Sequence, residues 1–149
     1  MNKHNITITI TIEIDDILNY VYAQSAWYNA HKPGARVLTA DNRNMLLIKL
    51  REGYADLRQR VMGYLYFDNY NPNATSANIT MTFTFKHEQG PLFETALRDT
   101  IVALLAQFML MRFYGEIDPH TNDHSPSIYH LEWRRYKAKL LLAFAHDEL

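Results

Sequence analysis

The chain has 149 residues, which is enough for one domain with its own hydrophobic core, and we expect a single domain over residues 1–149. Its 15 Lys and Arg against 16 Asp and Glu give a formal net charge of −1, which argues against a protein whose main task is to neutralise nucleic-acid phosphates. The absence of cysteine excludes disulfides and thiolate metal sites.

The first predicted element is a strand. Residues 6–14 read ITITITIEI, with isoleucine at every even position and threonine or glutamate at every odd one. A period of two in β-branched residues predicts a strand that buries one face only. Asp15 and Asp16 then offer N-capping oxygens to a first helix, and the Lys-Pro-Gly sequence at 32–34 ends that helix.

A second helix and a second strand follow. Thr39 and Asp41 precede a helix whose apolar residues recur at steps of three and four, from Leu46 to Leu65. Residues 78–86, NITMTFTFK, then repeat the alternation of the first strand. The two alternating runs predict a small two-stranded antiparallel sheet that is covered on one face.

Two further helices complete the predicted fold. Gly90 and Pro91 introduce a third helix that ends at Gly115, and its apolar residues cover a face too broad for a surface helix. Ser125 and Pro126 start a fourth helix with a mainly aromatic stripe. The order β-α-α-β-α-α predicts a mostly helical α+β fold, with about four helices on one face of a sheet that neighbouring subunits could extend.

The richest polar segment is the predicted loop at 116–127. Its His120, Asp123 and His124 are candidate ligands for zinc or another divalent ion. The alternative is a solvated connection that caps the fourth helix, because the loop lacks the helical pair of histidines found in zinc proteases. No nucleophile elbow and no glycine-rich phosphate loop is found, so we predict a non-enzymatic protein without a cofactor or an assigned metal.

Two groups of residues are predicted to form interfaces. The threonine faces of the strands are one group, and the other comes from the aromatic and basic run WRRYKAK at 133–139. That run suits a nucleic acid or an acidic partner; the alternative is a solvent face whose cations compensate the helix dipole. The predicted interface residues are Thr7, Thr9, Thr11, Thr80, Thr82, Thr84, Trp133, Arg134, Arg135 and Tyr136.

The second half of the chain, residues 91–149, has a recognisable layout. The long apolar helix PLFETALRDTIVALLAQFMLMRFYGE ends in Arg112, Phe113 and Tyr114, and a polar loop and the aliphatic helix YKAKLLLAF follow. In this order the segment resembles the head–tail connector (adaptor) proteins of tailed bacteriophages, small subunits that form rings beneath the portal. The Ile/Thr strands depart from that mostly helical layout, which leaves another ring component or a sheath-associated component open.

The resemblance implies a structural subunit of the virion neck. Its partners would be copies of itself and portal, tail or neck proteins, with DNA nearby but without sequence-specific binding. The strands favour a homo-oligomer independently, because a long free strand edge without proline is a liability in a monomer. The alternative function is a small-ligand or regulatory binding module with an apolar pocket between the sheet and the third helix, lined by Phe83, Phe85 and tyrosines.

The predicted location follows from what the chain lacks. The first residues alternate polar and apolar side chains, unlike a signal peptide, and the apolar run IVALLAQFMLM is too short to span a bilayer. We therefore expect a soluble chain without a membrane partner. The resemblance implies that it is part of the virion, assembled in the host cytoplasm, and the alternative is a cytoplasmic protein. The final HDEL spells an endoplasmic-reticulum retrieval signal, which we interpret as a chance match.

Overall fold

A computed structural model describes residues 6–31, 36–70, 77–115 and 127–148. Its elements are β1 (Ile6–Glu13), α1 (Ile14–His31), a short 3-10 turn (Ala40–Asn42), α2 (Arg43–Val61), β2 (Leu65–Asp68), β3 (Asn78–Phe85), α3 (Phe93–Tyr114) and α4 (Ile128–Asp147). The predicted class, a mostly helical α+β fold with helices packed on a small antiparallel sheet, is confirmed.

Pairing of β1 with β3 organises the sheet. The two strands are antiparallel over their whole length, from Ile6 opposite Phe85 to Glu13 opposite Asn78. Because successive side chains point to opposite faces, this register places isoleucine opposite Phe, Met or Ile on one face and threonine opposite threonine on the other. The apolar face of β3 is fully buried, with each of its four side chains at most 1 % exposed.

The sheet has three strands, in the order β1-β3-β2, so the predicted two-stranded sheet is wrong in its strand count. The apolar spacing predicts a second helix as far as Leu65, but α2 ends at Val61 and β2 begins at Leu65. Leu65 is half-buried in β2, opposite Phe83. Its position also continues the helical spacing of the apolar residues before it, so the pattern alone fits both a helix and a strand. The aromatic, strand-favouring sequence around it pairs with β3 once that edge is formed.

Helix α3 is the centre of the helical layer, as predicted. α1, α2 and α4 each pack against it, and twelve of its residues between Leu97 and Met111 are buried. It ends at Gly115, whose N–H donates to the carbonyl of Met111 at 2.8 Å. The φ of Gly115 is 100°, a conformation that favours glycine, which explains why the helix ends at this residue. The predicted end of the third helix is therefore confirmed.

Asp15 and Asp16, the predicted N-capping residues of the first helix, lie inside the first turn of α1, which begins at Ile14. Thr39 caps the 3-10 turn that leads into α2, accepting from the backbone N–H of Asp41 at 3.3 Å. Helix α4 is capped by Ser127, whose hydroxyl accepts from the backbone N–H of His130 at 3.2 Å. The predicted starting residues of this helix, Ser125 and Pro126, lie outside the described residues.

The C-terminal end of α4 is fastened to the segment after β3. The Asp147 carboxylate is 3 % exposed and accepts from the backbone N–H groups of Lys86 at 2.8 Å and His87 at 3.0 Å. Burial by itself would raise the pKa of Asp147, but these hydrogen bonds outweigh it and hold the pKa below its usual value. Glu148 adds contacts to Lys86 Nζ at 2.7 Å and to the Tyr64 hydroxyl at 2.6 Å.

The glycine in the middle of α2 sets the distance between α2 and α3. A Cβ atom on Gly53 would lie 2.8 Å from Cδ1 of Phe108, closer than side-chain packing allows. Gly63, which follows α2, has no atom within 4 Å of the same added group. The two glycines of this region therefore differ: Gly53 permits close packing, while Gly63 leaves open space.

We predict that Gly53→Ala lowers the free energy of unfolding by about 1–2 kcal/mol, since overpacking against Phe108 outweighs the better helix propensity of alanine. The measurement is urea unfolding followed by circular dichroism. The matched control is Gly63→Ala, which has room for the methyl group and should leave the stability unchanged or slightly higher. A Gly53→Ala variant as stable as the wild type would refute the close approach.

We predict that Asp147→Asn weakens the fold by about 2 kcal/mol at neutral pH, because two backbone N–H groups lose a charged acceptor. The pKa of Asp147 is depressed in the folded state, so its stabilising effect is present above the unfolded pKa of about 3.9 and is lost as the pH falls through the folded pKa.

Urea unfolding across this acidic range should therefore show a smaller loss of stability for Asp147→Asn than for the wild type. The control is Glu88→Gln, which neutralises an exposed carboxylate in the neighbouring segment, leaves the hydrogen bonds of Asp147 in place and should match the wild-type stability at neutral pH. Parallel pH curves for the wild type and Asp147→Asn would count against the role of this carboxylate.

Candidate functional site

The threonines of β1 and β3 form one exposed ladder. The Oγ1 atoms of Thr9 and Thr82 are 2.9 Å apart, and those of Thr11 and Thr80 are 3.3 Å apart, so each pair shares a hydrogen bond between strands. The remaining two of the six predicted threonines, Thr7 and Thr84, stand opposite each other in the same register. The structure thus brings all six together on the sheet face that does not carry the helices.

The hydrogen bonds of β3 show the direction in which its threonines point their backbone N–H and C=O groups. The N–H of Thr84 donates to the carbonyl of Tyr64 at 2.9 Å, and the carbonyl of Thr80 accepts from the N–H of Asn69 at 3.1 Å. Both contacts lie on the side of β2. The threonines of β3 therefore direct their backbone groups away from β1, which makes each threonine pair with β1 a non-hydrogen-bonded pair.

The threonines of β1 consequently point their backbone groups outward. In a non-hydrogen-bonded antiparallel pair, both residues turn N–H and C=O away from each other, and their side chains come closer together, in agreement with the short Oγ1 distances. The outward N–H and C=O groups of Thr7, Thr9 and Thr11 form what we name the β1 edge. No strand in the described part of the chain pairs with this edge, since β1 is terminal in the sheet.

The β1 edge lacks the features by which proteins block strand pairing. Its strand has eight residues, contains no proline and carries one charge, Glu13, at its last position. Ile6 and Ile8 are only half-buried, so apolar surface continues beside the edge.

The opposite border of the sheet is different. β2 has four residues and a register shift between Leu65 and Phe67, and an irregular short strand pairs poorly with a further chain.

The aromatic and basic residues of α4 do not form one continuous patch. Trp133 packs toward α2, and its ring lies 6.2 Å from the Phe108 ring. Lys137 Nζ lies 4.2 Å and the Arg60 guanidinium 5.7 Å from the centre of the Trp133 ring, both as cation–π contacts. The pKa of Lys137 is lowered by its partial burial, and the nearby Arg60 adds to this effect. Contacts within the chain thus engage the indole ring of this predicted interface residue.

The neighbouring residues of α4 face the other way, toward α1. Arg135 forms an ion pair with Glu132 at 2.8 Å and lies over the Tyr136 ring at 4.9 Å. Arg134 is exposed. The predicted interface residues of α4 therefore point in different directions, and they lie on the helical side of the molecule, away from the threonine ladder.

Two further predicted sites can be located. His120, Asp123 and His124 lie outside the described residues, and within the described ranges no three His, Asp or Glu side chains are grouped as a metal site. Phe83 and Phe85 are buried, with their rings 5.3 and 5.5 Å from that of Phe144. Phe144 of α4 therefore packs against both of the rings that the alternative hypothesis placed in the wall of a pocket.

Among the helices that the structure describes, none combines the length and the apolar character needed to cross a bilayer. Comparison of the chain with protein-family models, with curated proteins and with solved structures finds no match. The resemblance of residues 91–149 to head–tail connector proteins therefore stays a prediction.

We predict an alternating pattern of amide hydrogen exchange along β1 in the dilute monomer. The amides of Ile8, Ile10 and Ile12 are hydrogen-bonded to β3 and should exchange at least about tenfold more slowly than those of Thr7, Thr9 and Thr11, which face outward. The measurement is hydrogen exchange by NMR. Equal exchange rates at both sets of positions would contradict the assigned β1 edge.

Proposed function

We propose that this protein is a non-enzymatic structural subunit of a symmetric assembly, in which a strand of a neighbouring subunit pairs with the β1 edge. The observation that supports the proposal most directly is the outward direction of the backbone groups of Thr7, Thr9 and Thr11 on a long, regular strand. Pairing of an added strand would satisfy these groups with main-chain hydrogen bonds and extend the sheet across the interface.

Backbone pairing alone would not hold two subunits together at low concentration. Each hydrogen bond contributes a net of about 1 kcal/mol, so pairing along three threonines provides several kcal/mol of binding free energy. Micromolar affinity requires about 8 kcal/mol, and association also costs translational freedom, so backbone pairing falls short of what is needed. Apolar contacts must supply the remainder. The half-buried Ile6 and Ile8 beside the edge are suited to this, because an added strand would cover them.

The setting that we propose is the neck of a tailed bacteriophage, on the basis of the resemblance of residues 91–149 to head–tail connector proteins. A ring in that position requires each subunit to pair its β1 edge with a different segment of the next copy. Pairing of β1 with the same strand of a second copy would instead close a two-fold dimer. The oligomeric state therefore separates a ring component from a simple dimer.

Two substitutions at one position test the β1 edge. Thr9→Pro removes an N–H that faces outward, so it leaves the hydrogen bonds to β3 in place and blocks the added strand. Thr9→Val keeps that N–H and loses only the hydroxyl. We predict that the wild type and Thr9→Val assemble at micromolar concentration, and that Thr9→Pro is a monomer with wild-type secondary structure by circular dichroism.

Native mass spectrometry and light scattering measure the outcome, with and without portal protein, because some rings form only on the portal. A cyclic oligomer of three or more copies supports the ring, and a dimer supports assembly but argues against a neck position. The proposal would be refuted by a wild type that stays monomeric under both conditions, or by a Thr9→Pro variant that assembles as well as Thr9→Val.

A further inference from the structure

A groove of about 320 Å³ lies between α1 and α4, over α3. α1 lines it with residues that include Tyr20 and Trp27, and α4 lines the other wall with residues that include Glu132 and Tyr136. Gln107 of α3 also lines it, between the two walls. Small-molecule sites in proteins usually enclose about 300–1,000 Å³, so the groove suits an occupant of one or two rings.

Gln107 is the exceptional residue of this groove. Its side chain is 2 % exposed within an otherwise apolar stretch of α3, and its Nε2 donates to the Tyr20 hydroxyl at 3.3 Å. Its Oε1 is buried and has no hydrogen-bond partner among the described residues. A buried carbonyl without a donor is unfavourable, and leucine or methionine would fill the same position without that loss. This oxygen can therefore accept an N–H or O–H from an occupant of the groove.

The charges at the mouth of the groove cancel. Arg135 donates to the Glu132 carboxylate at 2.8 Å and to the Tyr136 hydroxyl at 3.3 Å. The cation and the anion among the described lining residues are thus paired with each other. A charged occupant would have to compete with this pair, whereas a neutral one would not. The groove therefore favours an uncharged molecule.

The walls of the groove are aromatic. Tyr20, Trp27, Tyr129 and Tyr136 all line it, and Trp27 is 47 % exposed. Aromatic faces of this kind stack against planar rings and tolerate different ring substituents. Flat shape, neutral charge and an N–H donor for Gln107 are thus the three properties that the groove selects.

We propose that the groove between α1 and α4 binds a small, neutral, planar molecule that donates an N–H to Oε1 of Gln107, of the class of heteroaromatic lactams, amines and carboxamides. The molecule stacks on the aromatic walls and supplies the donor that Oε1 of Gln107 does not find among the described residues. This binding site goes beyond the assembly role and does not depend on it, because the groove is formed within one subunit.

The test uses uracil, adenine and nicotinamide as probes in an NMR titration of the full chain. We expect saturable shifts of the Trp27 indole N–H, with a dissociation constant of about 1 mM or lower for at least one probe. The second tryptophan, Trp133, is an internal control, since it packs toward α2 and its indole signal should not move. Absence of saturable shifts at Trp27 up to about 10 mM of all three probes would overturn the proposal.

A matched pair of probes tests the donor without altering the protein. 1,3-Dimethyluracil keeps the ring and carbonyls of uracil but has no N–H, so we expect it to bind at least about tenfold more weakly. Equal binding of the two would overturn the role of Gln107. If adenine or nicotinamide is the probe that binds, its fully N-methylated derivative serves the same comparison.

The variant Gln107→Met tests the acceptor itself. It removes the unpaired oxygen at similar volume, so we expect an unchanged or higher melting temperature together with at least about tenfold weaker probe binding. A purely structural glutamine, needed for its hydrogen bond to Tyr20, predicts the opposite pattern: lower stability with probe binding retained. That pattern would refute the proposal.

Discussion

The structure depends first on the register between β1 and β3. These strands lie about seventy residues apart in sequence, with Thr9 bonded to Thr82 across a separation of 73. A slip of one residue would turn every isoleucine of β1 to the exposed face and every threonine to the core, so the burial pattern permits one alignment. The same alignment also sets the direction of the backbone groups. Because the threonines form the non-hydrogen-bonded pairs, the N–H and C=O groups of β1 that point away from β3 belong to threonines.

The apolar face created by that register determines the helical layer. α3 contacts β1 on this side, and the other three long helices surround α3, so that nearly all of its middle turns are buried. Two residues of this region depart from what burial alone requires. Gly53 is needed where α2 approaches the Phe108 ring, and its explanation is steric. Gln107 has no such explanation, since its carbonyl oxygen has no donor in the part of the chain that the structure describes. A buried polar group without a hydrogen-bond partner, unlike a glycine required by close packing, tends to mark a functional position.

Local periodicity was sufficient to predict β1, β3, the central position of α3 and its end at Gly115, because each of these depends on neighbouring residues. β2 escaped prediction because Leu65 continues the helical spacing of α2, while its strand forms only through pairing with the distant β3. The direction of Trp133 and Tyr136 depends on where α4 crosses α3, which no local pattern specifies. Gln107 did have a signal, as the one polar side chain in the run IVALLAQFMLM.

The two proposed sites are compatible because they use different elements of the subunit, a strand edge for one and three helices for the other. Strand pairing at the β1 edge extends the sheet laterally and covers Ile6 and Ile8, whereas the groove is formed by three helices and reaches the core through Gln107. A neighbour on the β1 edge would therefore leave the aromatic walls of the groove accessible.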